Sequence, residues 1–139
     1  MSDALIRFPD PQLAVRDLLR SALDGRPEPS ASGVVVSTRD LPGADEKRSL
    51  PYVRVRSDGS YRDARLNGRA TIRVSVWHRD EGLAQDLALL CEALLLSAHS
   101  DAVRGSTSVS GPIPTGDDET GLPLSFLTIT ARLRPIQLS

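Results

Sequence analysis

Apolar and polar positions change their period along this chain, and each change marks an element. Over residues 11–24, Val15, Leu18, Leu19, Ala22 and Leu23 recur at helical spacing, while Gln12, Arg16, Arg20 and Asp24 take the other side. Asp10 supplies a cap for the free amides, Pro11 suits the first helical position, and Gly25 suits a left-handed stop. Residues 26–32, with two prolines, read as a loop. A β-branched run, Gly33-Val-Val-Val-Ser-Thr38, predicts a short strand. Residues 39–49 are polar and broken by Pro42 and Gly43, which predicts a flexible loop.

Over residues 50–57 the period drops to two, with Val53 and Val55 inward and Arg54 and Arg56 outward. Residues 57–66 hold Asp58-Gly59 and further charges and read as a loop, and Asn67-Gly68 gives a second turn signal. Ala70, Ile72, Val74 and Val76 then alternate with Thr71, Arg73, Ser75 and Trp77. The two alternating runs predict a hairpin with one face on the core and an arginine-bearing face outside it.

Asp80 caps a second predicted helix over residues 81–99. Its apolar set is wide, with Leu83, Ala84, Leu87, Leu90, Cys91, Leu94, Leu95 and Ala98. Leu89 and Leu96 fall right beside its polar stripe of Gln85, Glu92 and His99. A helix apolar almost all round must be covered on more than one side. Either the first helix or a loop packs over Leu89 and Leu96, or another subunit does. Residues 103–113 predict a modest strand, and residues 114–123 a loop carrying Asp117, Asp118 and Glu119. The closing strand, residues 124–134, sets Leu127, Ile129, Ala131 and Leu133 on one face and Thr128, Thr130, Arg132 and Arg134 on the other, until Pro135 ends it.

The order is helix, three strands, helix, two strands. This predicts one α+β domain over residues 1–139, a mostly antiparallel or mixed sheet of about five strands with two helices on one face. The uncovered sheet face would carry Arg54, Arg56, Arg73, Trp77, Thr128 and Arg132, and a free sheet edge accepts strands from another subunit.

Composition narrows the classes. With 40% hydrophobic and 25% charged residues the chain is globular, and 4% aromatic content leaves its core to Leu, Val, Ile and Ala. Seventeen basic residues against eighteen acidic ones argue against a dedicated nucleic-acid binder, which needs a basic excess. Lys47 is the single lysine, so positive charge sits almost wholly on arginine; a GC-rich coding sequence explains this, as does arginine's planar pairing with carboxylates at interfaces. One cysteine, Cys91, excludes an intramolecular disulfide and a cysteine-cluster metal site. Neither a signal peptide nor a membrane span is expected, which places the protein in a reducing cytosol.

Catalytic chemistry is sparse. His78 and His99 have Asp80 and Asp101 nearby in sequence, and Ser75 or Ser100 would complete a triad, but no nucleophile-elbow motif accompanies them. Two histidines with scattered carboxylates offer no recognised metal spacing. Gly105-Ser-Thr-Ser-Val-Ser-Gly111 lacks the lysine of a phosphate loop. No enzyme, cofactor or metal is expected.

Several segments resemble the tail terminators of siphophages, also called tail-completion or minor tail proteins. An N-terminal helix precedes the Val-rich strand that runs on to Arg39-Asp-Leu-Pro42. Leu50-Pro-Tyr-Val-Arg-Val-Arg-Ser-Asp-Gly59 is similar to the family's Pro-x-x-Val-x-Val with a following glycine turn. Residues 70–80 resemble its third strand, which leads into a helix of the form Ala-x-x-Leu-Ala, here Ala84-Gln-Asp-Leu-Ala88. Gly111-Pro112, an acidic loop and a closing strand complete the likeness.

The resemblance implies a homo-hexameric ring at the head-proximal end of the virion tail, assembled in the host cytoplasm. Its partners would be itself, the major tail tube protein and the head-tail connector, with DNA passing through unbound and no membrane involved. Such a ring imitates an incoming tube ring on one face and lacks the propagating surface on the other. Loops 39–49, 57–66 and 114–123 would order on docking. Candidate interface residues are Arg54, Arg56, Arg73, Leu89, Leu96, Asp117, Asp118 and Glu119, with Arg54 or Arg73 of one copy meeting the acidic triplet of a neighbour. Alternatives are a head-tail adaptor or stopper, a small ligand-binding α+β module, and a minor hydrolase.

Overall fold

A computed structural model describes residues 5–43 and 48–138. Its elements in chain order are β1 (Leu5–Arg7), α1 (Pro11–Leu23), a 3-10 turn (Pro29–Ala31), β2 (Val35–Ser37), β3 (Tyr52–Ala64), β4 (Asn67–Trp77), α2 (Glu81–Ser97), β5 (Val103–Gly116), β6 (Pro123–Leu133) and β7 (Ile136–Leu138). Five strands form one sheet in the order β2-β3-β4-β6-β5, and β1 pairs with β7 in a separate two-stranded sheet. The β2–β3 pair is parallel and the other pairs are antiparallel, so the large sheet is mixed.

The caps behave as their chemistry requires. Asp10 accepts hydrogen bonds from the amides of Gln12 (2.9 Å) and Leu13 (3.3 Å), and Gly25 takes φ +73° just beyond α1. Asp80 accepts from the amide of Leu83 at 3.1 Å and starts α2.

Both helices pack on one face of the sheet, because the alternating strands present an unbroken apolar surface there. Val53, Val55, Ala70, Ile72, Val74, Val76, Leu127, Ile129 and Ala131 are fully buried, and they meet Val15 and Leu19 of α1 and Leu87, Cys91 and Leu95 of α2. Burying a large apolar side chain is worth about 1.5–3 kcal/mol, so this layer supplies most of the drive to fold.

Four expectations need correction. Residues 57–66 are not a loop: β3 continues to Ala64 and turns through residues 65–66. Asp58 is bulged out of register between Ser57 and Gly59, and the φ of +146° at Gly59 makes this bulge accessible. The exposed ribbon beyond it needs no apolar face, since ladder hydrogen bonds and cross-strand stacking hold it, with Arg69 over the Tyr61 ring at 4.8 Å. Asn67-Gly68 opens β4 instead of forming the turn. Phe8 lies on Gly68 so closely that a β-carbon there would come within 2.7 Å of the ring. Likewise β5 runs on to Gly116, which shortens the acidic loop. The element order also gains β1 and β7, each three residues long, and so departs from the expected helix-first order. Part of the predicted loop 39–49, residues 44–47, lies outside the described residues.

Candidate interaction surfaces

The face of the sheet turned away from the helices is built from the other half of each alternation. Strand register sets Arg54 opposite Ser75, Arg56 opposite Arg73, and Arg69 opposite Arg132. Like charges placed directly opposite are destabilising, so two arginine pairs here work against the fold. Ion pairs relieve part of this. Asp40 Oδ1 accepts from both Arg54 Nη1 and Arg56 Nη2 at 2.7 Å, and Arg73 Nη2 lies 3.1 Å from Asp58 Oδ2. The Asp40 side chain is 75% exposed, and pairs of that kind contribute about 0–1 kcal/mol. The Nε atoms of Arg54 and Arg56 are buried without a hydrogen-bond partner. Arg132 lies over Gly105, where a β-carbon would come within 3.0 Å of its Nη2. The arginine ladder is thus a surface feature with little to give to stability.

Trp77 differs from the expectation. It sits on this outer face but is only 5% exposed, against Tyr52 with ring centroids 6.1 Å apart and under Arg54 at 5.2 Å. The acidic loop closes over it: Asp117 Oδ2 accepts from Trp77 Nε1 at 2.8 Å and from the Thr120 hydroxyl at 2.9 Å, while Oδ1 accepts from the Glu119 amide. Burial alone would raise the Asp117 carboxyl pKa, but these hydrogen bonds outweigh it and hold the group below the usual carboxylate range. Asp117 is therefore engaged within its own chain, and so are Arg54, Arg56 and Arg73. Asp118 and Glu119 are exposed on the same loop. The network around Trp77 was missed in the sequence because residues 77 and 117 are forty positions apart and share no motif.

On the opposite side of the molecule, α2 keeps an uncovered stripe. Leu87 and Leu95 are fully buried, whereas Leu89 is 46% and Leu96 41% exposed. Ala93 is exposed between them and Asp86 one turn before. Leu89 and Leu96 are thus covered only in part among the described residues.

The candidate catalytic groups are occupied or dispersed. His78 is buried, with Nε2–H donating to the Ser30 carbonyl at 3.0 Å and Nδ1 accepting from the Arg79 amide at 2.9 Å, so backbone takes both ring nitrogens. Ser100 Oγ accepts from the amides of Ala102 and Val103 in a turn, and His99 is exposed. Burial pushes the Cys91 thiol up to about 12, which keeps it protonated at neutral pH. Among the described residues no three of His, Cys, Asp and Glu converge as a metal would require, and no helix is long and apolar enough to cross a membrane. An open groove of about 830 Å³ runs between the start of α1 and the β3–β4 ribbon, lined by Phe8, Asp10, Asp58, Tyr61, Arg62 and Arg69 among others. Arg62 stacks over Phe8 there at 4.8 Å. No protein-family model matches this chain, and no curated protein matches it either.

Proposed function

We propose that this protein is a non-enzymatic assembly factor of a long-tailed phage, a terminator that forms a ring on the end of the tail tube, stops its growth and offers a surface to the head connector. One observation supports the reading above all: Leu89 and Leu96 remain exposed on a helix whose Leu87 and Leu95 are fully buried. Two large apolar side chains in line on one helix face form a site for association with another protein surface. The resemblance of segments 33–42, 50–59, 70–80 and 84–88 to tail terminators supplies the identity of the process. An open tube end adds subunits without limit, so a ring that matches the tube on one side alone halts it by geometry and needs no chemistry.

The same surfaces would suit a head-tail adaptor or stopper, which docks on the connector instead of the tube. The groove beside α1 favours a second class, a small ligand-binding module. Purified protein added to polymerising tube subunits distinguishes them. A terminator caps growth and narrows the length distribution, while an adaptor or ligand-binding module leaves tube length unchanged. Thermal-shift screening with small molecules would report a ligand for the groove.

A further inference from the structure

The large sheet ends in β2 on one side and β5 on the other, and the fold treats these edges differently. At β2 the edge is closed from within the chain: the Val34 amide donates to the Ala31 carbonyl, and Arg20 of α1 donates to the Val36 carbonyl. Where β3 runs on past β2, its Ser57 amide donates to Gln12 Oε1 of α1 at 2.8 Å. β5 has no such cover. Among the described residues, no hydrogen bond from outside the sheet reaches the backbone of residues 105–110. No charged side chain occurs from Gly105 to Gly116 either, although charge is a usual guard on an exposed strand. Pro112 and Pro114 lack an N–H and guard only the far half of this stretch. The near half, with exposed Thr107, Ser108 and Val109, is a row of open backbone donors and acceptors.

We infer that this open half of β5 pairs with the same half of β5 in a second copy, antiparallel about a two-fold axis at Thr107. No other edge matches it as well: β1 and β7 are three residues long, and the β3 ribbon past Gly59 is charged and faces the groove beside α1. The pairing sets Thr107 opposite Thr107, Ser106 opposite Ser108, Gly105 opposite Val109 and Arg104 opposite Ser110. Small and β-branched residues therefore meet, and no like charges stand face to face. Charge favours the same direction. At the start of β5, Arg104, Arg132 and Arg134 outnumber Asp101; Arg132 lies over Gly105, and Arg134 Nε donates to the Ser100 carbonyl. At the end of the open half, Glu92 of α2 lies beside Gly111, its Oε2 3.6 Å from where a β-carbon would stand. Antiparallel pairing brings each basic start alongside the acidic end of the other copy, twice in one contact. Such an isologous contact occupies the open edge of both copies, so association through it stops at two. The inference goes beyond the tail-tube reading and does not depend on it.

Charge placed at the axis tests it. Sedimentation velocity of the full chain is expected to show a monomer–dimer equilibrium at high concentration. Thr107→Lys and Thr107→Glu each set two like charges against one another and should weaken the dimer at least tenfold. Far-UV circular dichroism should not change, because Thr107 is exposed. Ser108→Lys blocks the same edge should Thr107→Lys fail to fold. An equimolar mixture of Thr107→Lys and Thr107→Glu should associate again, since opposite charges then meet at the axis. Thr107→Cys should form a disulfide-linked dimer with oxidised glutathione, because directly opposed strand residues have Cα atoms about 4.5–5.5 Å apart. Gln137→Cys on exposed β7 should not, and buried Cys91 takes no part. A wild-type chain that stays monomeric, a dimer indifferent to charge at position 107, or a mixture that restores nothing overturns the inference. So does a Thr107→Cys variant that cross-links no faster than Gln137→Cys.

Discussion

Leu87 and Leu89 lie two residues apart on α2 and belong to different worlds. Leu87 points into the layer between helix and sheet and has no exposed surface, and Leu95 repeats it two turns on. Leu89 and Leu96 look outward with nearly half their surface in water. Composition treats the four alike, yet only the inner pair helps to hold the monomer together. The sheet repeats the contrast: its inner face is Val, Ile, Leu and Ala at zero exposure, and its outer face is an arginine ladder held by weak ion pairs. On the proposed reading, the outward leucines of α2 and the arginine-bearing sheet face are the surfaces offered to a partner.

Substitutions break this comparison in a graded order. Leu87→Ala should cost about 2–5 kcal/mol of unfolding free energy, since it opens a cavity under α2; denaturant titration of the monomer measures it. Asp117→Ala comes next, because it leaves the Trp77 indole N–H buried without an acceptor, at about 1–3 kcal/mol. Trp77 is the single tryptophan, so its fluorescence should shift to the red with the same change, and Asp117→Asn should shift it less.

Acid should act on the same contact. The folded pKa of Asp117 lies below its unfolded value, so its contribution is complete above the unfolded pKa of about 3.9 and is lost as pH falls through the lower folded value. The fluorescence change should therefore appear only under strongly acid conditions and vanish in Asp117→Asn. Asp80→Ala removes the α2 cap and should cost about 1 kcal/mol by thermal unfolding. Leu89→Ala and Leu96→Ala should stay within about 0.5 kcal/mol of wild type in monomer stability while reducing association. A large stability loss from either would mean that the outer face belongs to the fold after all.

How much of this was legible beforehand depended on period. Where one face is buried, alternation or helical spacing shows it, and so α1, α2, β6 and the Val53–Val55 part of β3 read correctly from residue type alone. The β3–β4 ribbon did not, because a strand exposed on both sides has no apolar period, and Asp58-Gly59 signals a bulge and a turn equally well. Strands β1 and β7 are too short to carry a pattern, and they form because the fold brings residues 5–7 beside residues 136–138. Among the candidate residues, the outward position of Arg54, Arg56 and Arg73 followed from alternation, as did the surplus of Leu89 and Leu96 from the helical wheel. That Asp117 is tied to Trp77, and that Asp40 bridges two arginines, depended on loops whose paths no local signal encodes.

The most direct measurement of the assembly role is electron microscopy of phage particles assembled without this protein. The expected result is tails of uncontrolled length, detached from filled heads, with wild-type tails restored when the chain is supplied. Tails of normal length joined to heads in its absence would contradict that role outright.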